Sequence, residues 1–227
     1  MKCTICSNLC SETIKHKLLG HQIYSCDKCN YQFVDTTQIA KQQIAKEQKR
    51  GTFGLNFERN ELYSNLLERV KKETKTILEI GTPQNYDLLK RIHNKYGDTF
   101  KLYSYDLFKP DLPEYITFID NIYETKEEKF DLLLCIHTLE HIPIQELMDF
   151  VNISEKISIK YVFETPLCET TEHVERSSQQ PHYNFFSELS LTKLFKQSET
   201  YTKKKGNTVL ITNIKQFINS GVQNSEN

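Results

Sequence analysis

Four cysteines near the start of the chain form two pairs with the same internal spacing. Cys3 and Cys6 make the first pair, and Cys26 and Cys29 make the second, so that the pattern is C-x2-C-x19-C-x2-C. Two residues between cysteines allow one tight turn to direct both thiolates to a single point, and two such turns complete a tetrahedral set of sulfur ligands. The spacing therefore predicts a zinc site. Four thiolates leave no open position, which indicates a structural ion.

Two alternatives to a zinc site formed by these four cysteines remain open. Cys10 or His16 could replace one of the four ligands, although neither belongs to a closely spaced pair. A disulfide is the second alternative, but paired cysteines in a reducing compartment more often bind metal. Residues 22–25 and 31–34 alternate in polarity like short strands, as in a zinc ribbon. We therefore predict a zinc-ribbon module over residues 1–35.

Composition and charge limit the classes of protein and partner. A chain of 227 residues can bury one sizeable core and a small appended unit. Its net charge is −1, whereas a protein that binds nucleic acid usually has a large excess of basic residues. No apolar run approaches the roughly 18 residues of a membrane-spanning helix, and the first residues lack the apolar segment of a secretory signal. We expect a cytoplasmic protein with neither a membrane nor a nucleic acid as its partner.

The rest of the chain alternates between helical and extended patterns. A polar segment over residues 36–60 is predicted to be a linker or lid, in which Ile39 and Ile44 are too sparse to anchor a core. The tail over 217–227 is polar, which predicts disorder. Between them, apolar spacing predicts helices over 61–72, 86–96 and 144–153. It predicts strands over 76–80, 100–106, 115–120, 130–136 and 161–164. Residues 200–205 and 208–212 are predicted to form a hairpin with Gly206 and Asn207 in its turn.

This alternation defines a fold class and the place of a site. Strands that alternate with helices predict an α/β fold, a doubly wound and mostly parallel sheet, here closed by a terminal antiparallel hairpin and preceded by the small zinc ribbon. In such sheets, ligands lie at the carboxyl ends of the strands. The residues that follow the predicted strands are therefore the candidates for chemistry: Glu79, Gly81, Asp106, Asp120, His137, Glu140 and His141.

Several of these segments resemble the class I methyltransferases that use S-adenosylmethionine. Residues 79–81 are similar to the first family motif, acid-x-Gly, and residues 130–143 resemble the signature Asp-x-(apolar)…Leu-Glu-His-(Ile/Val)-Pro. Residues 163–166 and 182–191 resemble the subgroup patterns Glu-x-Pro and His-x-x-x-Phe-Ser-x-x-Ser-Leu. With its cysteine module, the chain is similar to a subgroup whose characterised members often methylate sugars attached to nucleotides. The resemblance implies a methyltransferase domain over residues 61–216.

The resemblance also implies roles for the cofactor side of the site. Beside Glu79, Gly81 would allow the backbone to approach the methionine part of S-adenosylmethionine. Asp106 would bind the ribose hydroxyls, and Asp120 would meet the adenine amino group. His137 would lie at the tip of the fourth strand of the methyltransferase domain, where it would shape the methyl-transfer site.

On the acceptor side, His182 or His137 could act as a general base. Glu140 and His141 belong either to the catalytic set or to the helix start ahead of Pro143, which His141 would cap. The aromatic residues Tyr183, Phe185 and Phe186 are predicted to be core rather than a substrate platform.

Two departures from the family pattern narrow the expected reaction. After Gly81, the chain continues with Thr82 and Pro83 instead of a second glycine, and Pro83 lacks a backbone donor. Pro181 precedes His182 where sugar C-methyltransferases carry a glutamate, so His182 lacks the partner that carbon-acid chemistry needs. We therefore expect O- or N-transfer to a small molecule, namely a sugar or nucleotide sugar. The alternatives are a binding module without catalysis, a nucleotide-binding oxidoreductase and an RNA methyltransferase.

Overall fold

The structure is a computed structural model that describes residues 1–39, 57–125, 129–196, 200–205 and 207–215. Most of the predicted linker or lid, including Ile44, therefore lies outside the described residues, as do Gly206 and the predicted tail. Among the described residues, no helix combines the length and the apolar character needed to cross a membrane.

A small antiparallel sheet occupies the N-terminal part of the chain. Its first three strands are β1 (Ser11–Lys15), β2 (Gln22–Cys26) and β3 (Tyr31–Val34). The fourth is a two-residue strand from much later in the chain, β9 (Asn184–Phe185), which pairs with β3. The N-terminal sheet is therefore completed by a strand from the larger domain.

The larger sheet has seven strands and is mostly parallel, which confirms the predicted fold class. In spatial order they are β10 (Tyr201–Lys205), β11 (Thr208–Thr212), β8 (Ser158–Pro166), β7 (Phe130–Ile136), β4 (Thr76–Ile80), β5 (Lys101–Tyr105) and β6 (Ile116–Phe118). Of these seven strands, β11 alone runs opposite to the others, and it is antiparallel to both β10 and β8. From β4 the chain moves outward to β5 and β6 and then returns to the other side of β4 as β7. The carboxyl ends of β4 and β7 therefore flank the switch point at which open α/β sheets bind ligands.

Helices cover both faces of this sheet. They are α1 (Phe57–Val70), α2 (Asp87–Tyr96), α3 (Leu147–Ile157) and α5 (Glu188–Leu194), whereas α4 (Thr171–Ser177) packs through Val174 against the N-terminal sheet. Alternate strand residues point to opposite faces. Thus Ile77 and Leu132 lie in a core with α1 and α2, while Leu78 and Leu133 lie in a core with α3 and α5. Burial on both faces explains why most residues of β4 and β7 are apolar.

The N-terminal sheet packs against the second of these cores. Tyr31 stacks on Phe33 and on Phe186, with ring centroids 5.2 and 5.4 Å apart. These three rings are fully buried, as are Tyr183 and Phe185. The prediction that Tyr183, Phe185 and Phe186 belong to the core is therefore confirmed.

Several predicted boundaries were wrong. Helix α3 begins three residues later than predicted, because Pro143 starts a turn in which its carbonyl accepts from the Glu146 N–H at 2.9 Å. Helix α1 already begins at Phe57, inside the predicted linker. Ile39, predicted to be too isolated for a core, is only 7% exposed and packs with Ile23 and other residues of the N-terminal sheet. Strands β1 and β9 and helices α4 and α5 were not predicted.

Candidate functional site

The four cysteines predicted as metal ligands converge on one point. The Sγ atoms of Cys6 and Cys26 are 3.4 Å apart, those of Cys3 and Cys29 are 3.6 Å apart, and those of Cys6 and Cys29 are 3.7 Å apart. A tetrahedral ion with Zn–S bonds of about 2.3 Å holds its sulfurs about 3.8 Å apart. A disulfide would need about 2.05 Å, and all four cysteines are free. The cluster therefore has the spacing of a four-thiolate metal site rather than of disulfides.

The two alternative ligands lie outside this cluster. The Sγ of Cys10 is 3.8 Å from the carbonyl oxygen of Asn8, and Cys10 is not among the converging sulfurs. His16 is buried, and its Nε2 lies 2.9 Å from the carbonyl oxygen of His182. His16 therefore links the N-terminal module to the larger domain.

Glu79, the penultimate residue of β4, has a buried carboxyl group. The residue is 4% exposed, and its Oε2 has no hydrogen-bond partner in the described structure. Burial raises the pKa of the Glu79 carboxyl to about 8, and the negative charges of Asp106 and Asp87 add to the rise. A buried acceptor without a partner is costly unless a ligand satisfies it. Glu79 therefore fits a ligand that brings a donor or a positive charge.

The raised pKa of Glu79 predicts a pH-dependent stability. A group whose folded pKa of about 8 exceeds its unfolded value of 4.5 stabilises the fold fully below pH 4.5, and this contribution is lost as the pH rises through 8. Relative to Glu79→Gln, the wild-type free energy of unfolding should fall by about 3 kcal/mol between pH 5 and pH 7.5. Urea denaturation at several pH values measures it. A pH-independent difference in the free energy of unfolding between the wild type and Glu79→Gln would contradict the raised pKa of Glu79.

Directly after β4, a neighbouring side chain leaves no space for any residue other than glycine at position 81. The φ of Gly81 is +79°, and a Cβ at this position would lie 1.8 Å from Oγ1 of Thr138. Thr138 follows β7, and its hydroxyl lies 3.3 Å from the carbonyl oxygens of Ile80 and Ile136. The absence of a side chain at Gly81 therefore accommodates Thr138 as well as the backbone conformation.

The two other predicted cofactor residues lie along the same edge of the sheet. Asp106 follows β5 and is half-buried, and its Oδ1 accepts from the N–H of Phe108 at 2.9 Å. Burial raises the pKa of Asp106, while backbone hydrogen bonds from Phe108 and Leu107 oppose the rise. Asp120 follows β6, one strand further out, and is exposed. The carboxyl-end edge of the sheet thus has Glu79, Asp106 and Asp120 at the ends of three neighbouring strands, β4, β5 and β6.

On the other side of the switch point, His137 lies between two buried glutamates. Its Nδ1 is 3.0 Å from Oε1 of Glu140, and its Nε2 is 3.7 Å from Oε1 of Glu164. Glu140 also accepts from the hydroxyl of Thr165 at 3.2 Å, and Glu164 accepts from the hydroxyl of Tyr63 at 2.5 Å. The φ of +52° at His137 turns the chain sharply at the strand tip. The arrangement fixes the imidazole ring in one orientation.

His141 and His182 extend this polar group. Their rings meet edge to face with centroids 4.7 Å apart. Burial lowers the pKa of His182 to about 3, although the charge of Glu140 opposes the shift. His182 is therefore neutral at physiological pH. Burial alone would raise the pKa of Glu140, but the hydrogen bond and charge of His137, together with His141 and His182, lower it to about 2.

The prediction for His141 as a helix cap was wrong. His141 lies at the end of a single 3₁₀ turn, several residues before α3 begins at Leu147. Its Nδ1 instead lies 2.9 Å from the carbonyl oxygen of Pro181. That contact joins the turn after β7 to the segment that carries His182.

A hydrogen-bonded chain connects this group to the N-terminal sheet. The hydroxyl of Tyr31 donates to Oδ1 of Asn184, and Nδ2 of Asn184 donates to the carbonyls of Leu139 and Ile142 at 3.1 and 2.6 Å. The turn that carries Glu140 and His141 is therefore held by Asn184, and Asn184 is in turn bound by Tyr31, two positions after the zinc-ligand candidate Cys29.

The sequence analysis assigned no role to four residues of the site, namely Tyr63, Thr138, Glu164 and Thr165. Thr138 packs on Gly81, while Tyr63 and Thr165 bind the two buried glutamates. Tyr63 lies in α1, far from any strand tip in sequence, so strand-end reasoning could not find it. Thr138 and Thr165 follow or end predicted strands, and their position was the available signal.

Comparisons with known proteins agree with this architecture. No protein-family model matches the chain, and no curated protein matches it. Among solved structures, the chain resembles 1,6-didemethyltoxoflavin N1-methyltransferase of Burkholderia thailandensis, crystallised with 1,6-didemethyltoxoflavin and S-adenosylhomocysteine. The TM-score is 0.56 at 12% identity, over 89% of this chain and 97% of that one.

Two further solved structures that are similar in fold to this chain are also described as methyltransferases. The methyltransferase domain of a bacterial protein, CtHen1, matches with a TM-score of 0.51 and 14% identity, over 69% of this chain and 98% of that domain. A candidate O-methyltransferase from Nostoc punctiforme PCC 73102 matches with a TM-score of 0.54 and 10% identity, over 68% of this chain. The matched region spans 55% of that protein's length. The chain therefore has the fold of the S-adenosylmethionine-dependent methyltransferases.

Proposed function

We propose that the protein is an S-adenosylmethionine-dependent methyltransferase that acts on a small molecule. The observation that carries the proposal is the buried carboxyl of Glu79, whose Oε2 lacks a partner at the switch point of the sheet. The methionine part of the cofactor carries an ammonium group, which is the donor that such a carboxyl needs. The methyltransferase fold, including the antiparallel β11, supports the same conclusion.

The cofactor side would be formed by Glu79, Gly81, Asp106, Asp120 and His137. Glu79 binds the ammonium, Asp106 the ribose hydroxyls and Asp120 the adenine amino group. His137 lies at the tip of β7 and faces this edge from the acceptor side. When bound, S-adenosylmethionine supplies a methyl group on a positively charged sulfur. The protein supplies position and orientation, which account for much of the acceleration in such reactions.

The acceptor side would be formed by His137, Glu140, His141 and His182. We propose O- or N-transfer to a sugar or nucleotide sugar, as the similarity to the sugar-methylating subgroup implies. His137, oriented by Glu140 at 3.0 Å, is a better candidate base than His182. Burial lowers the pKa of His182 to about 3, which makes it a weak proton acceptor.

The cysteine cluster is proposed to bind zinc in a structural role. The sulfur spacing supports this, and four thiolates leave no position for substrate. The ion would hold the turns that carry Cys3 and Cys29 and, through β3 and β9, the turn after β7. The proposed N-terminal module would thus support the acceptor side of the site.

A second candidate function is a binding module that has lost the cofactor. The observation that favours it is the replacement of the glycine loop by Thr82 and Pro83, together with the packing of Thr138 over Gly81. Cofactor binding separates the two candidates, because only the methyltransferase requires it.

Methyl transfer to a defined set of acceptors tests the proposed reaction. We would incubate the protein with S-adenosylmethionine and single sugars or nucleotide sugars, and search for a mass increase of one methyl group in the acceptor. Asp106→Ala should reduce transfer by about 10- to 100-fold at limiting cofactor, since it removes a hydrogen bond to the ribose. Asp98→Ala, at the amino end of β5, serves as the matched control. Transfer to none of these sugars and nucleotide sugars, by a protein that binds S-adenosylmethionine, would reject the acceptor class.

A further inference from the structure

Three side chains beyond the tip of β7 bring metal-binding atoms close together. Glu140 and His141 belong to the turn after β7, and His182 belongs to the segment before β9. One ligand atom from each residue lies within 4.8 Å of the others. A divalent ion with bonds of about 2.0–2.2 Å holds its ligand atoms about 3.0–4.3 Å apart. A contraction of about 0.5 Å would therefore bring the three atoms into a coordination sphere.

Each of the two histidine rings has a hydrogen-bond partner at Nδ1, as metal-binding histidines commonly do at the nitrogen that does not bind the metal. Nδ1 of His141 lies 2.9 Å from the carbonyl oxygen of Pro181. A carbonyl only accepts, so Nδ1 carries the hydrogen and Nε2 carries the lone pair. Nδ1 of His182 lies 2.7 Å from Oγ of Ser177, which fixes the orientation of that ring. Metal-binding histidines commonly direct their second nitrogen to such an outer partner.

The carboxylate is likewise held in place. Glu140 is fully buried, with Oε1 3.0 Å from Nδ1 of His137 and Oε2 3.2 Å from the hydroxyl of Thr165. A carboxylate offers about four lone-pair positions, so these two contacts leave acceptor capacity for a cation. Each ligand therefore has an outer contact that orients it, from a residue other than the three ligands.

We propose that Glu140, His141 and His182 bind one divalent transition-metal ion, separate from the ion of the cysteine cluster. Two imidazoles and one carboxylate suit Mn²⁺, Fe²⁺, Co²⁺ or Zn²⁺. Three protein ligands leave positions open for other oxygen ligands. The use of those positions rests on the proposed function: an oxygen of the acceptor binds the ion and is thereby held beside the tips of β4 and β7.

Titration of the untagged full chain with Mn²⁺ tests the site. Mn²⁺ prefers oxygen ligands such as carboxylate, whereas thiolates select softer ions, so the cysteine cluster does not compete. Electron paramagnetic resonance should show about one Mn²⁺ bound per chain, with pulsed spectra that contain ¹⁴N couplings from imidazole. Glu140→Gln and His182→Gln should each weaken binding by at least about 10-fold. Glu155→Gln and His93→Gln, at residues outside the cluster, should bind as the wild type does.

Three results would overturn the proposal: no Mn²⁺ bound by the wild type, bound Mn²⁺ without ¹⁴N couplings, or variants that bind as tightly as the wild type. Circular dichroism checks that the variants fold. If they do not, the ¹⁴N couplings of the wild-type protein decide the question. The titration contains no S-adenosylmethionine, so a protein that binds Mn²⁺ but not the cofactor would keep the metal site and lose the proposed reaction.

Discussion

Replacing Cys26 by serine should lower the midpoint of thermal unfolding by about 10 °C and abolish stoichiometric zinc binding. Losing one of four thiolates removes part of a binding free energy of about 10–16 kcal/mol, and a loss of about 4 kcal/mol corresponds to such a shift in a chain of this length. The effect should reach beyond the N-terminal sheet, since Tyr31 stacks on Phe186 of the larger domain. Calorimetric unfolding and elemental analysis of the purified protein measure both quantities.

Cys10→Ser is the matched control for this experiment. Cys10 lies in the same segment but outside the set of converging sulfurs, so the variant should retain one zinc per chain and shift the midpoint by less than about 2 °C. Equal effects of the two substitutions would contradict a four-thiolate site formed by Cys3, Cys6, Cys26 and Cys29.

Replacing Gly81 by alanine should destabilise the protein by about 3 kcal/mol or more. The new Cβ would meet Oγ1, Cβ and Cγ2 of Thr138 at 1.8, 2.8 and 2.9 Å. Thr138 cannot turn away easily, because a β-branched side chain has few χ1 options. Crowding costs about 1–3 kcal/mol, and the φ of +79° adds about 1–2 kcal/mol for any residue with a Cβ. Chemical denaturation measures the difference.

Gly20→Ala separates the two causes. Gly20 has a similar φ of +73°, but nothing lies within 4 Å of a Cβ at that position. Gly20→Ala should therefore lower the free energy of unfolding only by the cost of the left-handed backbone conformation, about 1–2 kcal/mol. If both variants lost the same free energy, the contact between Gly81 and Thr138 would be irrelevant to stability.

The larger sheet was predictable from local pattern because its central strands are buried on both faces. β4 and β7 are short apolar runs of the length that a parallel strand needs, and the hairpin of β10 and β11 surrounds a Gly-Asn pair. The small elements near the site were not predictable in this way. β9 has two residues and exists only because β3 offers it an edge. Helix α5 carries a local signal in its capping box of Ser187 and Ser190, and the same two serines belong to the segment 182–191 that resembles the family pattern.

The candidate site was predictable in its residues but not in its contacts. Strand-end reasoning selected Glu79, His137 and Glu140, and the four cysteines followed from spacing alone. The partners of His137 depend on the register of β7 against β8, which places His137 beside Glu164. The meeting of His141 with His182 depends on a loop 40 residues later. Such contacts arise from tertiary packing, which no local periodicity encodes.

Titration of the protein with S-adenosylhomocysteine in a calorimeter tests the central claim most directly, because it requires no knowledge of the acceptor. The account predicts one site per chain with a Kd below about 100 μM, or about −5.5 kcal/mol. Glu79→Gln should weaken binding by about 10- to 100-fold, whereas Glu155→Gln should not, since only Glu79 lies at the switch point of the sheet. No heat of binding from the folded wild-type protein at millimolar ligand would contradict the methyltransferase assignment and favour the binding module.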